Sequence, residues 1–286
     1  MKRFDAKTIS DYALLSLIQE VSASPKPGLV DRFNSGSHKD MDYNTFIESS
    51  FSIKDYFGEC FDLGLLSEST IEEKKKELRK LGKIAEEKMY DATYNVNTHK
   101  GIIFSLGFLT FSMGILQREK GCNYVIGDII NQVKELCSGI TEELNVDKSK
   151  TYGEKLYQEY GFKGIRGEAE EGFSKSLDIG LRNFKEARKK LNVNDSLIQV
   201  LFNFMIDVED SNVLGRGSLI ELEFVQEVGK KVILLGGMYT EKGRDYINSL
   251  NDLFVSKNIS PGGSADYLIL TYFLSLLDDG DENDRV

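Results

Sequence analysis

Apolar residues recur at helical spacing along most of this 286-residue chain, and only three prolines break the pattern. No stretch sustains the apolar–polar alternation of a half-buried strand, so the apolar faces can be covered only by packing helices together. Residues 8–21 put Ile9, Tyr12, Ala13, Leu17 and Val21 near one face. They end before Ser24-Pro25 because the residue ahead of proline avoids the helical region. Ser69-Thr70-Ile71-Glu72 reads as a capping box for a helix to about residue 90, with Ile71, Leu78, Leu81, Ala85 and Met89 inward. Further helices are predicted over residues 101–117, 124–137, 172–191, 196–209, 218–235, 241–257 and 264–277. Asp195 and Ser264 stand where N-caps are wanted, and Gly236-Gly237 and Gly280 where C-caps are wanted. The expected fold is one all-α, multi-helix domain over residues 1–286, with residues 145–161 as a polar insert.

The helices leave over five polar patches, each at a helix end and each mixing glycine with charge: residues 24–46, 95–101, 161–172, 207–218 and 258–266. All three prolines and both histidines, His38 and His99, fall inside them. The longest, SPKPGLVDRFNSGSHKDMDYNTF, gathers Lys26, Asp31, Arg32, Asn34, His38, Lys39, Asp40 and Asp42 around two prolines and two glycines. A long ordered connection this polar is where chemistry is expected. Helix starts such as Lys100-Gly101 and Gly262-Gly263-Ser264 offer free N–H groups and a positive dipole end to anionic oxygen. None of the patches is a Walker loop or a dinucleotide fingerprint.

Charge narrows the partners. Forty-six acidic residues against 36 basic give a net charge of −10, which argues against a broad nucleic-acid surface. A small polyanion held by a few cations or by bound metal ions remains compatible with it. Cys60, Cys122 and Cys137 are odd in number and form no CxxC pair, which fits a reducing cytoplasm and suggests neither a disulfide framework nor a zinc site. The N-terminal MKRFDAKTISDY lacks an apolar signal region. The apolar run 102–116 carries Ser, Gly and Thr and is short for a bilayer span, so a buried helix and no membrane are expected.

Several residues have two readings. His99 can close the start of a helix or act on a ligand. Asp40 and Asp42 can cap a helix beginning at Tyr43, bind a metal, or do both. Asp207 and Asp210, three apart, should share a face at a helix C-terminus, where paired carboxylates oppose the dipole and a cation would relieve them. Arg166 and Glu168 can pair with each other, and Arg216 between two glycines can be a solvated turn.

Taken together and in this order, the patches resemble the triphosphoribosyl-dephospho-CoA synthase family. The matching strings are PKPGLVDRFNSGSHKDMD at 25–42, VNTHKGIIFSLG at 96–107 and TYGEKLYQEYGFKGIRGEAEEGF at 151–173. DSNVLGRG at 210–217 and ISPGGSADYLILTYFL at 259–274 complete the set. The resemblance spans nearly the whole chain. Tyr94-Asn95 stand where the family usually carries two glycines, its DTN reads Asp210-Ser211-Asn212, and its Arg-Gly-Gly reads Arg216-Gly217-Ser218.

The resemblance implies an all-helical enzyme that takes ATP and 3′-dephospho-CoA. It would transfer the triphosphoribosyl group to the 2′-hydroxyl of dephospho-CoA and release adenine. The product would be the precursor of the prosthetic group of the citrate lyase or malonate decarboxylase carrier subunit, passed to a separate transferase. Such glycosyl transfer builds positive charge on the ribose, so carboxylates, proton donors and Mg²⁺ are the groups it calls for. On this reading Asp31 or Glu168 is the base, and His38 and His99 act on adenine or phosphate. Asp40, Asp42, Asp207 and Asp210 are metal candidates. Lys26, Arg32, Lys100, Arg166 and Arg216 neutralise phosphate, with Asn34, Asn97, Thr98 and Asn212 as further contacts. Gly262, Gly263 and Ser264 would hold phosphate oxygens. Oligomer formation is compatible with all of this. The rival readings are a nucleotide N-glycoside hydrolase without acceptor transfer and a non-catalytic helical nucleotide sensor.

Overall fold

The computed structural model describes residues 1–146 and 152–278, and every regular element in them is helical. The helices are α1 (Ala6–Ser22), α2 (Tyr43–Leu66), α3 (Ile71–Ala92), α4 (Lys100–Lys120), α5 (Ile126–Cys137), α6 (Tyr152–Tyr160) and α7 (Gly164–Glu170). There follow α8 (Arg182–Arg188), α9 (Val193–Asp207), α10 (Ser211–Arg216), α11 (Leu219–Leu234), α12 (Glu241–Asn248), α13 (Asn251–Ser256) and α14 (Gly262–Asp278). Gly280, expected as a C-cap, and part of the 145–161 insert lie outside the described residues.

The apolar run forms α4, the one described helix long and apolar enough to cross a membrane, and most of it is buried inside the protein. Its main neighbour is α2, which is flanked in turn by α1 and α3. Two glycines let α2 and α4 touch backbone to backbone. A Cβ on Gly64 would come within 2.3 Å of Phe111 O, and one on Gly114 within 2.0 Å of Phe61 O. Side chains at both positions would force the helices apart, which a close-packed interior does not tolerate. The second half closes the bundle through α14, which lies against α1, α4, α9 and α10. Its start therefore meets the ends of elements from both halves, and this is where the polar patches gather.

Local caps refine the expected boundaries. The α3 box pairs Thr70 with Glu73, one residue beyond the expected start. Asp195 is not the N-cap of α9. Asn192 accepts from Asp195 N, and Asp195 sits in the first turn bonded to Arg244. Ser264 is likewise inside α14 rather than capping it. Gly236 follows α11 at φ 92°, as the C-cap expectation requires. The segment 172–191 begins with Gly172 and Phe173 at φ 68° and 55°, then runs through a π-helical stretch, Ser176–Leu181, into α8. The segment 241–257 breaks at Ser249-Leu250 into α12 and α13.

Candidate active site

Three ends converge: the loop after α1, the start of α4 and the start of α14. Glu20, on the buried side of α1, ion-pairs with Lys26, and Lys26 Nζ also donates to Glu20 O at 2.7 Å. Both side chains are buried, and burial raises the proton affinity of Glu20 against the pull of Lys26. Asp31, 1% exposed, accepts from Ser24 Oγ at 2.7 Å, Phe33 N at 2.8 Å and the backbone and side-chain nitrogens of Asn34 at 3.1 Å. The backbone N–H of Lys26 approaches the same carboxylate at 3.3 Å. These donors fold the PKPGLVDRFN loop around one carboxylate. They leave Arg32, bonded to Ser22 O, and Asn34 exposed at its rim.

His99 leads into α4 at 1% exposure, its ring edge-on to Phe46. Nδ1 lies 2.7 Å from Ser49 Oγ, which in turn bonds Thr98 Oγ1 at 2.6 Å. Nε2 is buried with no hydrogen-bond partner. Burial and the nearby Lys26 charge lower its pKa to about 3, so the ring is neutral at physiological pH. The end of α4 itself is closed by Asn97 Oδ1, which accepts from Lys100 N at 3.2 Å, while Lys100 Nζ pairs with Glu86 at 2.9 Å.

His38 behaves differently. Its Nδ1 is 2.9 Å from Arg216 Nη2, and arginine only donates, so Nδ1 accepts and Nε2–H donates to Ser260 Oγ at 2.8 Å. Burial and Arg216 lower its pKa to about 4. Arg216 also donates to Ser37 O at 2.9 Å and to Asn258 Oδ1 at 3.1 Å. It is no solvated turn; it ties the first patch to the last. Beside it a cleft of about 310 Å³ is lined by Ser35, His38, Lys39, Asp40, Met41, Asp42 and Thr45.

The four metal candidates do not gather in one place. Asp42 caps α2 through Thr45, and it and Asp40 line the cleft. Asp207 and Asp210 do not share a helix face. The helix stops at Asp207, which is exposed, and the extended Val208 turns the chain so that Asp210 is buried. Asp210 accepts from Asn212 N at 3.0 Å and Ser264 N at 2.9 Å, closing the starts of α10 and α14 together. Of the N–H groups expected to meet phosphate, those of Gly263 and Ser264 thus face a carboxylate, while Gly262 N donates to Ser260 O at 2.9 Å. Asn212, exposed, lies against Gly262. Among the described residues no three His, Cys, Asp or Glu side chains converge as a metal cage.

Arg166 and Glu168 do not pair. Arg166 lies 3.6 Å from Glu143, whereas Glu168 accepts from Lys175 at 2.7 Å and from Tyr267 Oη. Two acidic residues of the site were missing from the sequence expectation, Glu20 and Asp266. Each carried a signal, an acidic residue on the Ala13–Leu17 face of α1 and the lone charge ahead of the last residue of an apolar helix. Asp266 lies against Gly101, and burial with the charges of Glu20 and Asp210 pushes its carboxyl well above the usual range.

Comparison with known proteins shows the family. Residues 6–285 match the CitG family, described as ATP:dephospho-CoA triphosphoribosyl transferase. The chain is 36% identical to a probable 2-(5″-triphosphoribosyl)-3′-dephosphocoenzyme-A synthase of Streptococcus pyogenes serotype M5, covering 95% of this chain and 97% of that protein. It is 35% identical to a protein of the same name from Lactiplantibacillus plantarum, covering 96% and 99%. It is also 36% identical to Protein CitXG of Haemophilus influenzae, covering 94% of this chain and 60% of that protein. No solved structure matches. The chain belongs to the CitG family of ATP:dephospho-CoA triphosphoribosyl transferases.

Proposed function

We propose that this chain transfers the triphosphoribosyl group of ATP to the 2′-hydroxyl of 3′-dephospho-CoA and releases adenine. Beyond family membership, the observation that carries this reading is His99: a buried ring nitrogen without a partner, beside a buried lysine. A fold has no use for an unmet polar atom at 1% exposure, whereas a substrate atom would meet it.

The C1′–N9 bond of ATP breaks, the 2′-oxygen bonds to C1′, and its proton passes to a base. Glu168 suits that duty. Lys175 and Tyr267 orient it, and its side chain remains 17% exposed. Asp31 is given to holding its loop. The neutral His99 touches the nucleotide through Nε2, and His38 positions the first and last patches. Lys39 lines the cleft that would take the triphosphate, and Arg216 borders it through His38. Mg²⁺ fits there as a companion of ATP, because it keeps water and phosphate oxygens as most of its ligands and needs only one or two carboxylates. Asp40 and Asp42 are the pair that lines that cleft.

We place the reaction in the cytoplasm, with the product passed to a separate transferase for the carrier subunit of citrate lyase or malonate decarboxylase. Incubation with ATP and Mg²⁺, with and without dephospho-CoA, tests the reading. Adenine release that needs the acceptor supports it. Free triphosphoribose without acceptor favours a hydrolase, and ATP binding with no adenine favours a sensor.

A further inference from the structure

Five carboxylates border the junction of α1, α4 and α14, and four of them are committed. Glu20 holds Lys26, Asp31 holds its own loop, Asp210 closes two helices, and Glu168 is bonded to Lys175 and Tyr267. Asp266 differs. Among the described residues no hydrogen bond or ion pair reaches its carboxylate, although it is half-buried on the first turns of α14. Its Oδ2 lies where a Cβ on Gly101 would come within 2.2 Å. Gly101 thus supplies the space in which this oxygen sits, two residues after the histidine whose Nε2 also lacks a partner. Two unmet polar groups from two helix starts border one junction.

The groups around Asp266 favour its protonated form. Glu20 from α1 and Asp210 ahead of α10 are acidic, Tyr267 follows it on its own helix, and Glu168 of α7 is bonded to that tyrosine. Lys26 is engaged with Glu20 and Lys175 with Glu168. The neutral His99 adds no charge. Glu168, by contrast, is in contact with a lysine, Lys175, at 2.7 Å. A carboxyl among acidic neighbours and a second carboxyl paired with a lysine are the pattern of an acid and a base in one site.

We infer that Asp266 is the catalytic acid that protonates the departing adenine, an inference that rests on the proposed transfer reaction. As the C1′–N9 bond breaks, its electron pair goes to the purine and the Asp266 proton goes to a purine ring nitrogen. The 2′-oxygen of the acceptor bonds to C1′, and its proton goes to Glu168. The two carboxyls end with protonation states exchanged and reset through solvent, so atoms and charge balance.

Two variants of the full chain test this, Asp266→Asn and Gly101→Ala. The second leaves the carboxyl in place chemically but displaces it, since the alanine methyl takes the position of Oδ2. Asp266→Asn is expected to slow adenine release about 10²–10³-fold, the range of a lost general acid. The same variant loses the alkaline limb of the kcat–pH profile. Affinity for ATP is unchanged, and Tm stays close to that of wild type because a neutral amide replaces a neutral carboxyl. Gly101→Ala is expected to lower kcat in the same direction. Turnover within threefold of wild type in Asp266→Asn, or a loss that leaves the alkaline limb intact, overturns the assignment. If the wild-type chain itself releases no adenine with both substrates, the transferase reading fails instead. An active wild type with an active Asp266→Asn removes only the acid.

Discussion

The carboxylate of Asp210 accepts the backbone N–H of Ser264 at 2.9 Å, joining the start of α10 to the start of α14 across 54 residues of sequence. A helix start that looked open to phosphate is closed from within, and the buried acid that closes it stabilises two helices at once. Asp210→Ala leaves at least two buried donors unmet, at a cost of about 2–4 kcal/mol. Thermal unfolding should show Tm lowered by roughly 5–10 °C. A variant melting with wild type would contradict the double cap.

Both histidines are held neutral, with pKa values of about 4 for His38 and about 3 for His99 against an ordinary 6.5. The unfolded chain takes up these protons as pH falls through about 6.5, whereas the folded chain does not until far lower pH. Their contribution to stability is therefore full above about pH 6.5 and is lost as pH falls toward 4. Tm measured across that window should decline, and the His38→Gln/His99→Gln variant should show a shallower decline. Parallel curves would rule out this linkage.

Removing one partner of the Lys26–Glu20 pair strands a buried charge. Lys26→Met should destabilise by about 3–5 kcal/mol, and adding Glu20→Gln should recover much of that loss. Chemical denaturation of both single variants and the double variant measures the coupling. Strict additivity would show that the pair does not interact.

Tyr94 and Asn95 stand at φ 53° and 67°, in the left-handed region that favours glycine. Tyrosine pays a steric penalty there that glycine avoids, whereas asparagine tolerates the conformation better. Since Tyr94 is 88% exposed and contributes little packing, Tyr94→Gly should stabilise by about 0.5–1 kcal/mol. A Tm rise of roughly 1–4 °C is the expected readout, and a fall would show that the ring matters.

Periodicity revealed the helices because an amphipathic face repeats over many residues, as in α1 and α3, and α4 stood out as an apolar run. It missed α6, α7 and α10, which are too short to repeat, and gave the 24-residue α2 no more than a start at Tyr43. It joined α12 to α13 because nothing at Ser249-Leu250 signals a break. The five patches were legible as loops rich in charge, but their partners were not. That Arg216 reaches Ser37 and His38, or that Asp210 reaches Ser264, depends on how helix ends meet in space. Glu20 and Asp266 were overlooked for the complementary reason. Both lie inside helices, where a charged side chain reads as solvated until its neighbours are known.

The central claim places acceptor-dependent adenine release at the α1–α4–α14 junction, and one side-by-side assay tests it. Adenine formed from ATP and Mg²⁺ is measured with and without dephospho-CoA, for wild type and for His99→Gln. The expected result is one adenine per acceptor consumed by wild type and none without acceptor. His99→Gln should be at least about 10²-fold slower. Adenine released equally without acceptor, or His99→Gln turning over at the wild-type rate, would contradict the account.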